Sequence, residues 1–365
     1  MMVLIPAYQP DHKLVDLVIS LARQLPEVQV VIVDDGSGGS YDNLFAATAT
    51  HGAVVQRHPV NRGKGAALKS GFALIERHYP GQAVITADCD GQHQAADIAR
   101  VAATTAQTGA LTLGERQFTG RVPWRSKVGN RATSLFFALS TGSWLGDTQT
   151  GLRGFPAGLL PWLQRVPGER YEYELNMLLE ARRLSIPFAS QPIETIYLEG
   201  NESSHFRPVR DSLRIYAPLL KFAGSSLTGF AVDTVLLLVL SALFSALLPA
   251  VVLARVGSGA VNFWINRRLV FSSGREHSLK SSALRYLGLA VVLLAANYEL
   301  LALLTGWGMP LLGAKLLTEA TLFAGSYAVQ KRWLFGARPR SAAPSQDSQV
   351  QLLRSTELSQ PRDQQ

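Results

Sequence analysis

The chain has 365 residues, 47% of them hydrophobic, and a formal net charge of +8 from 35 Lys and Arg against 27 Asp and Glu. That length leaves room for two domains, and the single cysteine, Cys89, excludes an internal disulfide and fits a reducing compartment. Lys and Arg gather beside long apolar runs, which favours attraction to anionic lipid and argues against nucleic acid as a partner.

Met2 to Ala7 reads as a strand, so no cleavable signal peptide is expected ahead of it. Further apolar strands follow at Val30-Val31-Ile32-Val33, Val54-Val55, Ala83-Val84-Ile85 and Leu111-Thr112-Leu113. Between them Leu14-Leu17-Val18-Leu21 and Ala66-Leu68-Phe72-Ile75 have helical spacing. This alternation up to about Tyr216 predicts a mostly parallel sheet covered on both faces. Ligands of such sheets lie beyond the carboxyl ends of the strands, where Pro6-Ala7-Tyr8, Asp34-Asp35-Gly36-Ser37 and Asp88 to Gln92 fall. Asn61-Arg62-Gly63-Lys64-Gly65 opens a helix. It reads equally as an anion-approaching turn and as a plain glycine-rich helix start, and it lacks the Walker spacing.

The strand Gln82 to Ala87 runs into Asp88-Cys89-Asp90-Gly91-Gln92-His93. Residues two apart on a strand face one side. A turn there lets both acids and the Gln92 carbonyl converge on one hard divalent cation that keeps positions open for phosphate oxygens. Cys89 reads as packing and backbone contact, because that chemistry has no use for a thiolate.

Further motifs are Gly114-Glu115-Arg116, Asp147-Thr148-Gln149-Thr150-Gly151-Leu152-Arg153 and Tyr171-Glu172-Tyr173-Glu174. With Ile5-Pro6-Ala7-Tyr8, Val33 to Ser37, Asn61 to Gly65 and Asp88 to His93, they make residues 3–216 resemble the family 2 glycosyltransferases. The branch resembled is that of the polyprenyl-phosphate sugar transferases, similar to dolichol-phosphate-mannose synthase. The resemblance implies an α/β GT-A domain, Rossmann-like with a mostly parallel sheet. It implies a nucleotide-sugar site on Pro6, Ala7, Tyr8, Asp34, Asp35, Lys64, Asp88 and Cys89. Asp88, Asp90 and Gln92 would hold Mg²⁺ or Mn²⁺ on the donor diphosphate, with Asp90, Arg116, Glu172 and Glu174 as the catalytic set. Two departures stand out. Gln9-Pro10 replaces the Asn-Glu that often follows the Tyr, which leaves the base open. Ser203-Ser204-His205-Phe206-Arg207 replaces a Ser-Lys that reaches phosphate, so His205 or Arg207 would take that role. The Q-x-x-R-W motif of processive synthases does not occur in this domain, which argues against chain elongation.

Transfer from a nucleotide sugar builds charge on the leaving diphosphate, which a metal answers as Lewis acid and template. A lipid phosphate acceptor is already largely ionised near neutral pH, by analogy with phosphoserine, and needs no general base. It needs fixed cations to sit beside a second anion, and Arg116, Arg125, Arg131 and Arg153 are placed for this. Arg125 and Arg131 begin a segment, Trp124 to Leu139, that reads either as lipid-facing or as a core helix with two solvated arginines. Arg153 reads either as a phosphate contact or as a structural partner of Asp147. Glu172 and Glu174 point different ways on a helix, so one would face the sugar.

From Leu219 to Phe335 four apolar spans are expected, at about Leu220 to Leu247, Pro249 to Val270, Leu284 to Leu304 and Leu311 to Leu334. Arg267, Arg268, Arg275, Lys280 and Arg285 lie between spans two and three, and Lys331 and Arg332 leave span four. The positive-inside rule then predicts a multi-pass protein of the cytoplasmic (inner) membrane with the catalytic domain and both termini in the cytoplasm. Leu220-Lys221-Phe222-Ala223-Gly224 matches Leu284-Arg285-Tyr286-Leu287-Gly288, and Asn262 to Phe271 matches Ser326 to Phe335, both at an offset of 64 residues. The spans are a duplicated hairpin with parallel halves, and the stretch looks like the GtrA family. Asp233, Arg255, Glu299, Lys315 and Glu319 fall inside spans, where charges are costly. The offset pairs Arg255 with Glu319, read as an ion pair near a head-group path or as one that only fixes helix packing.

The expected organisation is a catalytic domain over 1–216, an all-α four-helix transmembrane domain over 217–337 and a disordered polar tail over 338–365. The expected activity is transfer of one hexose, mannose or glucose, from a nucleotide sugar to polyprenyl phosphate at the cytoplasmic face. The alternatives are a lipid-sugar translocase or scaffold, and a tethered transferase with a non-lipid acceptor. The partners are the donor, the polyprenyl phosphate and membrane lipid; the oligomeric state, a homo-oligomer included, stays open.

Overall fold

A computed structural model describes residues 1–116, 124–194, 213, 216–243, 247–270 and 279–334. Seven strands form one sheet: β1 (Met2–Ala7), β2 (Gln29–Asp34), β3 (Val54–Arg57), β4 (Val84–Thr86), β5 (Leu111–Arg116), β6 (Arg153–Phe155) and β7 (Phe188–Ile193). Their order is β3-β2-β1-β4-β6-β5-β7. The pairings β1 with β2 and β4, β2 with β3, and β5 with β7 are parallel. β6 alone runs antiparallel, wedged between β4 and β5. The five expected strands are present, and β6 and β7 are additions. β6 has three residues and carries Arg153, so no apolar run announces it. β7 contains Ser190, Gln191 and Pro192, a composition tolerated at a sheet edge.

The helices of this half are α1 (Lys13–Gln24), α2 (Asp42–Thr50), α3 (Lys64–His78), α4 (Ala95–Thr108), α5 (Trp124–Thr141), α6 (Leu160–Leu163) and α7 (Glu172–Arg183). Alternation along β1 and β2 feeds two cores. Val3, Ile5, Val30 and Ile32 pack with Leu14, Val18 and Leu21 of α1 and with Ile98 and Val101 of α4. Leu4, Val31 and Val33 pack with Leu68, Phe72 and Ile75 of α3 and with Phe136 and Phe137 of α5. Phe72 is fully buried and meets the Phe155 ring edge-on at 5.5 Å, so truncation to Ala would cost about 3–5 kcal/mol. The two readings of α5 both hold in part: Phe136 and Phe137 are core, whereas Val128 and Leu135 are exposed.

The second half contains α8 (Ala217–Leu243), α9 (Leu247–Ile265), α10 (Leu279–Gly306) and α11 (Leu311–Val329). Among the described residues two stretches, Ala217–Leu240 and Ser282–Gly306, are long and apolar enough to cross a membrane. Large apolar side chains such as Leu227, Phe230, Leu284 and Val292 point outward, an arrangement suited to hydrocarbon and not to water. Five-residue π-helical turns, Asn266–Val270 and Gln330–Leu334, extend α9 and α11 at equivalent positions of the repeat. Phe222 packs on Tyr327 at 5.4 Å and Phe263 on Tyr286 at 5.3 Å. A shift of 64 positions turns each contact into the other, so the two hairpins face one another across a pseudo-two-fold axis. The structure corrects the expected Arg255–Glu319 pairing. Arg255 Nη1 lies 3.6 Å from Asp233 Oδ2 on α8 of the same hairpin, and Glu319 accepts from Asn297 at 3.3 Å. These are the same helix-to-helix contact in the two repeats, because Asp233 corresponds to Asn297 and Arg255 to Glu319.

The two halves meet at α5. Thr133 Oγ1 and the Tyr216 hydroxyl are 2.9 Å apart, and the Phe136 ring lies 6.1 Å from that of Tyr327. Lys331 sits over the Phe136 ring at 5.3 Å. Arg332 donates to the Ala138 carbonyl in the last turn of α5, the negative end of the helix dipole.

Candidate active site

The carboxyl ends of β1, β2 and β4 carry the three marked turns. At the first, the Ala7 carbonyl accepts from Asp35 N at 2.7 Å, and half-buried Tyr8 precedes Gln9. Gln9 has a left-handed backbone (φ 47°), and its N–H donates to Ser37 Oγ at 2.8 Å. The residue that departs from the expected Asn-Glu therefore sits in a conformation few non-glycine residues adopt.

At the second, Asp34 and Asp35 are both buried and do different work. Asp34 Oδ1 accepts from Ser37 N at 2.8 Å, closing its own turn. Asp35 accepts from Arg62 N (2.9 Å) and Gly63 N (2.7 Å), and its Oδ1 lies 2.7 Å from His58 Nδ1. His58 Nε2 in turn is 2.9 Å from Ser70 Oγ on α3. This Ser70–His58–Asp35 chain fixes the entry to α3. His58 is a site residue that the motifs did not reveal, and a lone polar residue just past an edge strand was its only signal. Gly63 holds φ +106°, and a Cβ there would lie 2.5 Å from the Glu169 carbonyl. The turn is therefore closed to larger residues.

That turn aims Lys64. Its Nζ is 2.7 Å from Asp88 Oδ1 and 3.1 Å from Glu174 Oε1. Three segments far apart in sequence, the starts of α3 and α7 and the end of β4, thus converge on one ammonium. Asp88 is held from two further sides. A Cβ at Gly151 would fall 2.2 Å from Asp88 Oδ2, so only glycine admits this carboxylate. The buried His93 ring places Nε2 3.6 Å from the same oxygen. Asp90 Oδ1 accepts from Gln92 N at 3.0 Å, folding the turn back on itself.

Charge distinguishes the two acids. Burial pushes the Asp88 carboxyl up, but the Lys64 ammonium and then His93 outweigh it and hold the group well below the carboxylate range. Asp90 is pushed up by burial and by the Asp88 charge. Burial alone would lower Lys64, and Asp88 with Glu174 reverses this and raises it. The half-buried Cys89 thiol is pushed up to about 12, by burial first and then by Asp88 and Asp90. A thiol so placed is inert, in keeping with a packing role.

The other expected residues divide. Glu174 faces Lys64, whereas Glu172 Oε1 accepts from Glu169 N (3.2 Å) and Arg170 N (3.3 Å), capping the turn before α7. Arg116 is bound by Asp147 through both oxygens, Nε at 2.6 Å and Nη2 at 3.0 Å, so its charge is largely compensated. Arg153 departs from the expected phosphate contact. It is 1% exposed and donates to the carbonyls of Thr150 (2.8 Å), Glu174 (2.8 Å) and Thr148 (3.2 Å). Its guanidinium is consumed by the frame of the site, and burial lowers its affinity for a proton despite Glu174 and Asp147 nearby. Arg131 is exposed on α5, and Arg125 lies in the first turn of that helix. His205, Arg207 and the tail 338–365 lie outside the described residues.

Among the described residues no group of three or more His, Cys, Asp and Glu is gathered for a metal. Asp88, Asp90 and Gln92 offer only oxygen donors, with two carboxylates at most. This donor chemistry fits a hard ion such as Mg²⁺ or Mn²⁺ that takes its remaining ligands from phosphate and water.

Paired acids at the carboxyl edge of a mixed sheet, joined to an apolar helical bundle, define a membrane-bound α/β enzyme of GT-A-like fold. Residues 2–159 match the model of Glycosyl transferase family 2, and residues 221–335 match that of the GtrA/DPMS transmembrane domain. The chain accordingly carries a family 2 glycosyltransferase domain and a GtrA/DPMS transmembrane domain, and is a glycosyltransferase. Over 209 residues it is 28% identical to the undecaprenyl-phosphate mannosyltransferase of Micrococcus luteus, covering 55% of this chain and 85% of that one. It is 26% identical over 219 residues to the UDP-N-acetylglucosamine–dolichyl-phosphate N-acetylglucosaminyltransferase of Methanococcus voltae, covering 54% and 85%. Among solved structures, glucosyl-3-phosphoglycerate synthase from Mycobacterium tuberculosis superposes with a TM-score of 0.45 at 17% identity, covering 60% of this chain and 77% of that one.

Proposed function

We propose that the chain moves one hexose from a nucleotide sugar, GDP-mannose or UDP-glucose, to polyprenyl phosphate at the cytoplasmic face of the membrane, for cell-envelope glycan synthesis. One observation carries the reading: α5 lies in the core of the sheet domain and also contacts the start of α8 and the turn that extends α11, through Thr133–Tyr216 and Arg332–Ala138. The site is thereby held beside an acceptor confined to the bilayer, which raises the effective acceptor concentration. The activities of the two relatives support a lipid phosphate as that acceptor. In this reading residues 1–216 are catalytic and 217–337 form a multi-pass membrane domain. Arg267, Arg268, Arg285, Lys331 and Arg332 sit at the ends of their helices, and Lys331 and Arg332 touch α5. This favours cytoplasmic termini.

The residues divide the work by charge. Asp34 and the Pro6-Ala7-Tyr8 turn receive the nucleoside, and Asp35 with His58 sets the turn that presents Lys64 to the diphosphate. Asp88, Asp90 and Gln92 would hold Mg²⁺ or Mn²⁺, which when bound neutralises charge growing on the leaving diphosphate. The acceptor phosphate attacks as an anion, so Glu174 serves to hold Lys64 and is not required as a base. Arg125 and Arg131 supply cations for the acceptor phosphate.

Purified protein in detergent with Mn²⁺, undecaprenyl phosphate and a panel of labelled UDP- and GDP-sugars tests this. Label from one donor passing to the organic phase, and lost in Asp90→Ala, is the expected result. Absence of transfer from every donor with folded protein contradicts the reading and favours a translocase or scaffold.

A further inference from the structure

One of the two acids expected to take a divalent ion, Asp88, already holds a cation from the chain itself. We propose that Lys64 is an internal stand-in for that ion, so that metal enters the site together with the donor diphosphate and not before it. This rests on the nucleotide-sugar reading above and adds an order to it.

Three observations converge. First, the Lys64 ammonium contacts Asp88 Oδ1 at 2.7 Å and Glu174 Oε1 at 3.1 Å, and it occupies one of the two carboxylates available to a metal. Gly151 and His93, whose Nε2 is 3.6 Å away, crowd the other oxygen of Asp88. A metal on Asp88 therefore either displaces Lys64 or sits within a few ångströms of its ammonium. Second, Asp90 already accepts from Gln92 N at 3.0 Å, and no third carboxylate cluster completes the shell among the described residues. A hard ion takes about six oxygens, and the diphosphate supplies what the chain does not. Third, the backbone around the lysine and around Glu174 is held by hydrogen bonds. The Gly63 backbone is clamped by Asp35 at 2.7 Å, and Ala66 N donates to the Glu169 carbonyl at 2.9 Å. The Glu174 carbonyl is tied to Arg153 at 2.8 Å. Lysine is a point charge on a flexible four-carbon stem. It can keep Glu174, let go of Asp88 and turn to a phosphate oxygen.

The electrostatics give the order. A bare divalent ion approaching Asp88 meets the Lys64 ammonium a few ångströms away, and like charges at that range repel by about 1 kcal/mol or more even in a water-like medium. An incoming diphosphate removes that repulsion by offering Lys64 a new partner while contributing its own oxygens to the metal. Metal and nucleotide then strengthen each other reciprocally.

The test is Mn²⁺ binding to the full chain in detergent, read as the loss of the free-ion EPR signal, with and without UDP or GDP. The wild type is expected to bind Mn²⁺ weakly alone and about tenfold or more tightly with nucleotide, within the usual range of coupling between sites. Lys64→Met removes the charge and keeps the volume. It should bind Mn²⁺ alone about tenfold more tightly than the wild type, and nucleotide should add much less. Equal Mn²⁺ affinity of the wild type with and without nucleotide overturns the proposal, and needs no variant to fold. Unchanged or weaker Mn²⁺ binding by a folded Lys64→Met overturns it as well. Failure of the wild type to bind Mn²⁺ with either nucleotide instead contradicts the metal-dependent reading itself, and this inference falls with it.

Discussion

Asn266 and Gln330 hydrogen-bond to each other across the bundle, Nδ2 to Oε1 at 3.0 Å, and they occupy the same position in the two repeats, 64 residues apart. Each opens a π-helical turn, and each is buried. Asn262 Oδ1 and Ser326 Oγ, again equivalent positions, accept from Asn266 Nδ2 and Gln330 Nε2 at 2.9 and 3.0 Å. The pair lies on the pseudo-two-fold axis and locks the hairpins in register. Replacing either member by Leu should destabilise the bundle by about 1 kcal/mol, the scale of hydrogen bonds between membrane helices. The double replacement should cost less than the sum of the two. Thermal unfolding of the four proteins in detergent checks this as a double-mutant cycle.

Gly151→Ala places a methyl group where the Asp88 carboxylate now lies, 2.2 Å from Oδ2. The glycine sits in the loop before β6, so the sheet should survive. Transferase activity should fall by about 100-fold or more, as expected when a charged group is displaced by an ångström. Steady-state rates beside an unchanged far-ultraviolet circular dichroism spectrum check this.

Asp147 has a fully buried side chain and binds Arg116 through both oxygens. Asp147→Ala leaves a partly buried guanidinium without its acid, and breaking such a pair costs about 3–5 kcal/mol. The loss should appear in denaturant unfolding. Arg116→Met with Asp147→Leu, removing both charges, should recover much of it.

With its thiol raised to about 12, Cys89 is almost wholly protonated at pH 8. Only the thiolate reacts, so alkylation by iodoacetamide should run slower than that of an ordinary thiol by on the order of 10³. It should accelerate as pH rises toward that value. Labelling rates followed by intact mass check this, and transferase activity should not depend on added reductant.

How much of this could be read from residues alone depended on distance in the chain. The strands β1 to β5 and the four apolar helices announce themselves through runs and periodicity, which are local. β6 does not, because its three residues include a buried arginine whose carbonyl partners lie on neighbouring loops and α7. The Lys64–Asp88–Glu174 convergence joins three separate motifs, each visible, whose mutual contact is set by the sheet order. His58 carries no motif at all. The repeat offset correctly put Arg255 and Glu319 at equivalent positions, but equivalence across a pseudo-two-fold means opposite sides of the bundle. Depth was legible there, and direction around the axis was not.

Mass spectrometry of the lipid after incubation with donor, Mn²⁺ and undecaprenyl phosphate tests the central claim most directly. The expected product is the lipid phosphate enlarged by a single hexose, absent with Asp90→Ala. Unmodified lipid beside hydrolysed donor, or lipid bearing several hexoses, would contradict a single transfer to polyprenyl phosphate.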